Sequence, residues 1–424
     1  MARILITDVT IFDGSGREPF AGEVLVQGNR IAKVAAGGFP SGTAADRVID
    51  GGGAVLMPGL VNCHGHPTYP NMGADFYSTG ELPVEEHVYR TMHNVKAMLD
   101  AGFTASVNGS SAKARLDIAT RNEIDAGGIP GPRMRAATPE ITVTGGLGDL
   151  RQYHMYHEGF AVVCDGPEEI RKFSRLMIRE GADSLKLMIS GDFFVHDTAT
   201  GDMTVMQEDE IVACTSIAHI HKRRVIAHAR TAEAVKRCVR HGIDLIYHAN
   251  FCDEEALDLL EANKDRFFVN PAIGLTYTTL YEMADYGMPQ EKAEEWGFKR
   301  ELDGAIAVTK ELHRRGVRVL PFGDYGFEWN PVGRDARDLE LWQELMGFSS
   351  IELLTMATRY GGECFGDAVG LVEEGYLADL IMVDGDPLAD VRLLQDTGRI
   401  VMIMKDGALH KEPGARQRQQ AAAE

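Results

Sequence analysis

The chain has 424 residues, 44% of them hydrophobic and 25% charged, the proportions of an ordinary globular protein with a full-sized core. Lys and Arg number 43 against 63 Asp and Glu, a formal net charge of −20, which argues against nucleic acid or an anionic membrane surface as the main partner. No apolar run reaches the roughly 18 residues of a membrane span. The opening Met1-Ala2-Arg3-Ile4-Leu5-Ile6-Thr7-Asp8 meets an acid too early for a signal peptide. The six cysteines are widely spaced without a C-x-x-C, so reduced, mostly buried thiols and a cytoplasmic protein are expected.

Residues 3–50 read as β. Ile4, Ile6, Val9 and Ile11 precede a turn at Asp13-Gly14-Ser15-Gly16, and Glu23–Val26 leads to a turn at Gly28-Asn29 before a third strand, Arg30–Val34. From residue 54, short apolar runs alternate with helical patterns. Eight strands are predicted, at 54–60, 103–107, 133–138, 184–189, 224–228, 243–248, 267–270 and 317–322. Between them, Val88, Met92, Val95 and Leu99 predict one helix over 85–101, and Leu302, Ile306, Thr309 and Leu312 another over 301–315. Strand–helix alternation repeated this often implies parallel strands, most economically an α/β (β/α)8 TIM barrel over 58–368. After 369 the β texture returns at Ala378–Val383 and Ile400–Met404. Segments 1–57 and 369–412 are therefore expected to form one composite β-sandwich domain, with 413–424 as a flexible tail.

His64-Gly65-His66 follows the first barrel strand. With 14 His in 424 residues, chance alone supplies about 0.5 such H-x-H matches, and His219-Ile220-His221 is a second, read as helix surface and edge. At a strand end, however, positions i and i+2 project to one side, so His64 and His66 can meet one ion. Position adds weight, because barrel enzymes place their chemistry at the carboxyl ends of strands. His228 ends the fifth predicted strand, His248 the sixth, and Asp324 follows the eighth. Lys186 lies inside the fourth, between Leu185 and Leu187. A buried ammonium is costly, so its pKa should fall. The neutral amine can then add carbon dioxide to become a two-oxygen carbamate ligand. The alternative is a buried lysine paired with a carboxylate on another strand, and both readings stand at this point.

These residues carry a resemblance. Asp13-Gly14, Val24–Ile31, Val55-Leu56-Met57-Pro58-Gly59-Leu60-Val61-Asn62-Cys63-His64-Gly65-His66 and Leu371–Leu380 together resemble the amidohydrolase superfamily over nearly the whole chain. Val143-Thr144-Gly145-Gly146 and Gly385-Asp386-Pro387-Leu388 are most similar to its binuclear branch of Xaa-Pro dipeptidases, metal-dependent carboxypeptidases and ochratoxin-type amidases. The resemblance implies two divalent ions, zinc being expected. His64, His66 and Asp324 would hold one, His228 and His248 the other, and a carbamate on Lys186 together with a hydroxide would bridge them. It implies a hydrolase that cleaves an amide bond (peptide-like, N-acyl amino acid or aryl amide) by attack of that hydroxide, with Asp324 passing the proton to the leaving nitrogen. Carbamate, urea or cyclic amide hydrolysis and mononuclear deamination are the alternatives. The strand-four lysine speaks against the last, and the complete set of six ligands against a non-catalytic barrel.

Two positions depart from that branch, which commonly has Glu where Tyr247 stands and His where Leu147 stands. Substrate contacts are expected from loops after the strands: Tyr153, His154 and His157 after the third, His196 after the fourth, Tyr277 after the seventh and Phe327 after the eighth. Arg230, two residues past His228, is a candidate fork for a substrate carboxylate, against the plainer reading of a surface arginine opening the next helix. The expected partners are a small-molecule amide and further copies of this chain in a homo-oligomer.

Overall fold

The computed structural model describes residues 2–73, 82–151, 153–154, 159–194 and 199–414. Strand β1 (Arg3–Ile11) pairs antiparallel with β2 (Phe20–Gln27), which pairs with β3 (Arg30–Ala36). The first strand also runs parallel to β4 (Arg47–Asp50) and β5 (Val55–Pro58). The predicted strand 54–60 is thus divided at Gly59. Val55–Pro58 stays with the amino-terminal sheet, and β6 (Leu60–Gly65) begins the parallel strands. The division is steric: a Cβ on Gly59 would stand 2.1 Å from Thr104 Oγ1, so only glycine lets the chain cross there.

Parallel pairing runs from β6 to β7 (Phe103–Asn108) and on to β8 (Arg133–Arg135). After Ala136 the chain continues as β9 (Ala137–Thr142), but its neighbours are now β10 (Ala161–Val163) and β11 (Ser184–Met188). The single predicted strand 133–138 is therefore two. At the break, the Ala136 carbonyl accepts Asp183 N–H (2.8 Å), and Ala136 N–H reaches the Asp183 carboxylate (2.9 Å). The ladder continues through β12 (Arg224–Thr231), β13 (Leu245–Phe251) and β14 (Phe268–Asn270).

The eighth predicted strand, 317–322, forms only an isolated bridge between Val269 and Val319. Pro321 has no N–H to give, and the chain then bends through positive φ at Phe322 (69°), Gly323 (138°) and Asp324 (61°). Asp324 N–H donates to the His64 carbonyl (3.1 Å), which ties this segment back to β6. The arrangement is a TIM-barrel-like α/β fold whose described strands form two parallel ladders rather than one closed ring.

Past residue 379 the chain rejoins the first sheet. β15 (Leu380–Val383) lies antiparallel to β5, followed by β16 (Ile400–Lys405) and β17 (Ala408–Lys411). Alternation sorts its side chains. Leu56, Leu380 and Met382 join Ile6, Val24 and Met404 in a core belonging to the terminal sheet, whereas Met57, Ile381 and Val383 face the large core of the barrel side.

The helix predicted over 85–101 is observed at Val84–Asp100, but turned. Val88 is exposed, and His87, Thr91 and Asn94 face inward. The reason is polar: the His87 ring donates to the Thr68 carbonyl (2.8 Å), and the Asn94 amide to the Pro67 and Tyr69 carbonyls (2.9 and 2.8 Å). These bonds hold the loop just after His66. The other predicted helix spans Phe298–Arg314 with Leu302, Thr309 and Leu312 buried. His219 and His221 sit exposed at the end of the Glu208–Ile220 helix, as expected. All six cysteines are free, with Cys252 half-buried and the rest buried. Among the described residues, no helix is long and apolar enough to cross a membrane.

Candidate metal centre

His64 is the penultimate residue of β6, and His66 follows just past its end. The backbone around them is fitted by glycine: a Cβ on Gly109 would stand 2.6 Å from the His64 ring and 2.7 Å from His66 Nε2, and one on Gly323 2.5 Å from His64 Cβ. Tyr247 stacks flat on His64, with centroids 3.5 Å apart and planes 10° apart, and donates its hydroxyl to the Cys63 carbonyl (2.9 Å).

Hydrogen bonds choose the tautomers. The Asn270 amide gives its N–H to the Phe322 carbonyl (2.6 Å), so its oxygen accepts from His64 Nδ1 at 3.4 Å. The Tyr69 hydroxyl donates to Glu140 Oε1 (2.8 Å). Ser110 Oγ, 2.7 Å from that hydroxyl, must therefore donate to it and accept from His66 Nδ1 at 3.2 Å. Both histidines are left with a bare Nε2, buried and without a hydrogen-bond partner. These two nitrogens face Asp324 Oδ1 at 3.7 and 3.2 Å, and the three ligand atoms lie within 4.8 Å of one another.

His228 and His248 stand on neighbouring strands with ring centroids 4.4 Å apart. His228 Nε2 donates to the Gly191 carbonyl (2.9 Å), which leaves its Nδ1 as the lone-pair nitrogen. His248 Nε2 lies 3.8 Å from Asp324 Oδ2, and its Nδ1 has no hydrogen-bond partner. His248 (φ 75°) and Asp324 (φ 61°) hold left-handed backbone conformations that cost a non-glycine residue free energy.

Lys186, 2% exposed, sits in β11 with its ammonium 4.2 Å from the centre of the Tyr247 ring. Burial lowers its pKa to about 8, against the pull of Glu140 and Asp324. Glu140 is its register partner on β9, and burial raises that carboxyl to about 7 despite Lys186 and the Tyr69 hydrogen bond. Burial pulls all four imidazoles below their usual value, His228 to about 3 with help from Arg230. They are neutral at neutral pH, the state a metal ligand needs. Burial pushes the Asp324 carboxyl up, but His64, His66 and Lys186 outweigh it and hold the group well below the usual carboxylate range.

These groups line one cavity of about 120 Å³ at the carboxyl ends of the strands, walled by Tyr69, Leu147, Phe160, Phe194, Leu275 and Phe327 among others. The structure thus brings together His64, His66, Lys186, His228, His248, Asp324 and Phe327. It does not bring Tyr153 or His154, which are exposed, nor Tyr277, which lies against Tyr281 and Arg337. His157 and His196 lie outside the described residues. Arg230 is neither a surface residue nor a cavity wall. It is 1% exposed and engaged by Asp192 (2.6 Å), Glu301 and Asn250 (2.9 Å), with two carboxylates already answering its charge. Sequence reasoning passed over Glu140, Asp192, Ser110 and Asn270. Glu140 had a legible signal, a lone acid in the apolar run that continues the third predicted strand.

The amidohydrolase family model matches residues 55–409. An ochratoxinase of Aspergillus niger is 25% identical over 386 residues, 85% of this chain and 76% of its own length. A 5-methylthioadenosine/S-adenosylhomocysteine deaminase of Pelotomaculum thermopropionicum is 31% identical over 425 residues, 91% of this chain and 85% of its own. A prolidase crystallised with N-methylphosphonate-L-proline superposes with a TM-score of 0.86 at 26% identity, over 97% of this chain and 100% of that one. This chain belongs to the amidohydrolase family and is a hydrolytic enzyme acting on carbon–nitrogen bonds.

Proposed function

We propose that the protein hydrolyses an amide bond, peptide-like, N-acyl or aryl, using two divalent ions. The observation that carries this reading is the pair of buried, unpartnered Nε2 atoms of His64 and His66 facing one carboxylate, Asp324, with His248 Nε2 3.8 Å from its other oxygen. Neutral imidazoles with orphaned lone pairs suit zinc. On this reading His64, His66 and Asp324 would hold one ion and His228 and His248 the other, with a carbamate on Lys186 as a further anionic ligand. The same reading takes the two parallel ladders as one (β/α)8 barrel and the terminal sheet as its composite β-sandwich companion.

Bound divalent ions supply a polarised carbonyl and hydroxide at neutral pH. The chain does the rest. Asp324, ionised and open toward both His66 and His248, accepts a proton and hands it to the leaving nitrogen, without which an amine leaves very poorly. Asn270 and Ser110 keep the His64 and His66 rings in one tautomer. Tyr69, Phe194 and Phe327 exclude water from the cavity.

A single-ion deaminase is the second reading. The compact His64–His66–Asp324 group and the 31% identical deaminase favour it. Lys186 would then remain an ammonium beside Glu140. Elemental analysis of active protein, with isotope-labelled bicarbonate to reveal a carbamate, separates the two. About two ions per chain and a labelled lysine are expected; one ion and no label in fully active enzyme would replace the amide reading with the second.

A further inference from the structure

One oxygen in the cavity wall has no part in the chemistry above. Glu140 closes on the cavity from β9, is 7% exposed, and spends only Oε1 on the Tyr69 hydroxyl; Oε2 has no hydrogen-bond partner. Gly148, in the loop that follows, passes so near that a Cβ would stand 2.6 Å from that oxygen, so only glycine packs there without displacing the carboxylate. Among the described lining residues Lys186 is the sole Lys or Arg against the three acids Glu140, Asp192 and Asp324, and Asp192 is already taken by Arg230. Once Lys186 carries a carbamate, Glu140 loses its cross-strand counter-charge. A buried carboxylate oxygen with no protein donor is unfavourable, and an amine on a ligand in the cavity can supply one.

We propose that Glu140 is a specificity-determining residue whose Oε2 receives an amino group of the substrate beside the scissile amide, selecting amides with a free amine over N-acylated or acidic ones. The inference rests on the amide-hydrolase reading with Lys186 carboxylated. Register pairing sets Glu140 directly beside Lys186, so its carboxylate reaches groups within a few bonds of the reacting carbonyl. An α-amine is such a group, and a charge-assisted hydrogen bond to it is among the stronger ones available.

The test compares L-leucine para-nitroanilide with its N-acetyl and N-succinyl forms on metal-loaded enzyme. Wild type is expected to favour the free amine by about ten- to a hundredfold in kcat/KM. Glu140→Gln keeps the shape and an oxygen for the Tyr69 hydroxyl but loses the charge, so the ratio should fall toward one, chiefly through the free-amine anilide, while metal content holds. Preference for the N-acetyl or N-succinyl form in wild type overturns the proposal without any variant. So does a Glu140→Gln enzyme that slows on both anilides alike or loses metal, which would make Glu140 part of the metal centre. L-Leucinol has no amide to cleave, and its binding by calorimetry keeps the two readings apart. If neither anilide is cleaved, the amide reading fails. If L-leucinol then binds no better than N-acetyl-L-leucinol, the role of Glu140 fails with it. A preference for L-leucinol that Glu140→Gln removes would uphold that role.

Discussion

The terminal sheet and the carboxyl ends of the parallel strands are both buried, and they are built on opposite rules. In the sheet, alternation divides apolar side chains between two cores, with Leu380 and Met382 on one face and Ile381 and Val383 on the other. Around His64, burial instead encloses imidazoles, an ammonium and carboxylates, leaves ring nitrogens without partners, and holds His248, Phe322 and Asp324 at positive φ. Local preference and global fold agree in the first region and conflict in the second. A fold that bears such conflict has been selected for something other than stability.

The sharpest way to break that contrast is Lys186→Ala. If this lysine carries the carbamate, the variant loses metal and turnover, and short carboxylic acids that mimic the carbamate restore part of the activity. Lys186→Arg should not substitute, because guanidinium does not add carbon dioxide. Full metal occupancy in Lys186→Ala would reduce the lysine to a structural cation paired with Glu140. Asp324→Asn comes next. The amide keeps the shape and one ligating oxygen but accepts no proton, so kcat should fall by about 10²–10⁴ with the fold and most of the metal kept. Unactivated amides should suffer more than aryl anilides. Near-normal turnover of an unactivated amide would remove Asp324 from the proton path.

The sequence made the first region legible in kind and the second in detail. The β texture at both ends was plain from alternation, but nothing in 54–60 marked the hand-over between sheets at Gly59, because the contact that forces it is with Thr104, some 45 residues away. Likewise Val88 fits the apolar period of its helix, yet His87 and Asn94 turn inward because backbone carbonyls of residues 67–69 need donors. The candidate ligands were visible because strand ends focus side chains into one place. Arg230 and Glu140 were misjudged or missed because their surroundings come from other strands and helices, and single-chain spacing carries no record of partners so distant in sequence.

A change confined to the terminal sheet should do the reverse of those at the metal centre. Met382 is fully buried in the core of that sheet. Met382→Ala should cost about 2–5 kcal/mol of stability through lost burial and a cavity, read by denaturant unfolding, while kcat and metal content of the folded enzyme stay unchanged. A fall in kcat at full metal occupancy would show that the two regions are coupled.

Asp117 asks the finer question of whether a buried polar atom without a partner is enough to mark function. Its Oδ2 accepts Asn108 Nδ2 (2.8 Å) and Ala137 N–H (3.0 Å), and its Oδ1 is unpartnered, yet it lies outside the cavity. Burial raises its carboxyl to about 7, against those bonds. The folded protein therefore holds this proton up to about pH 7, whereas the unfolded chain releases it near the ordinary value of about 4. Between those pH values the unfolded state binds fewer protons, so this group's contribution to stability is present below about pH 4 and is lost as pH rises to about 7. Asp117→Asn removes that slope. Relative to wild type, the variant should gain on the order of 2 kcal/mol between about pH 5 and pH 8, with kcat at optimal pH unchanged. Taking the difference between the two proteins cancels other buried carboxyls with the same tendency, such as Asp335 and Asp338. A variant that instead loses ground as pH rises would mean that Asp117 is ionised in the fold. A loss of turnover would mean that orphaned oxygens mark function even away from the cavity, and the contrast between the two regions would then have to be redrawn around them.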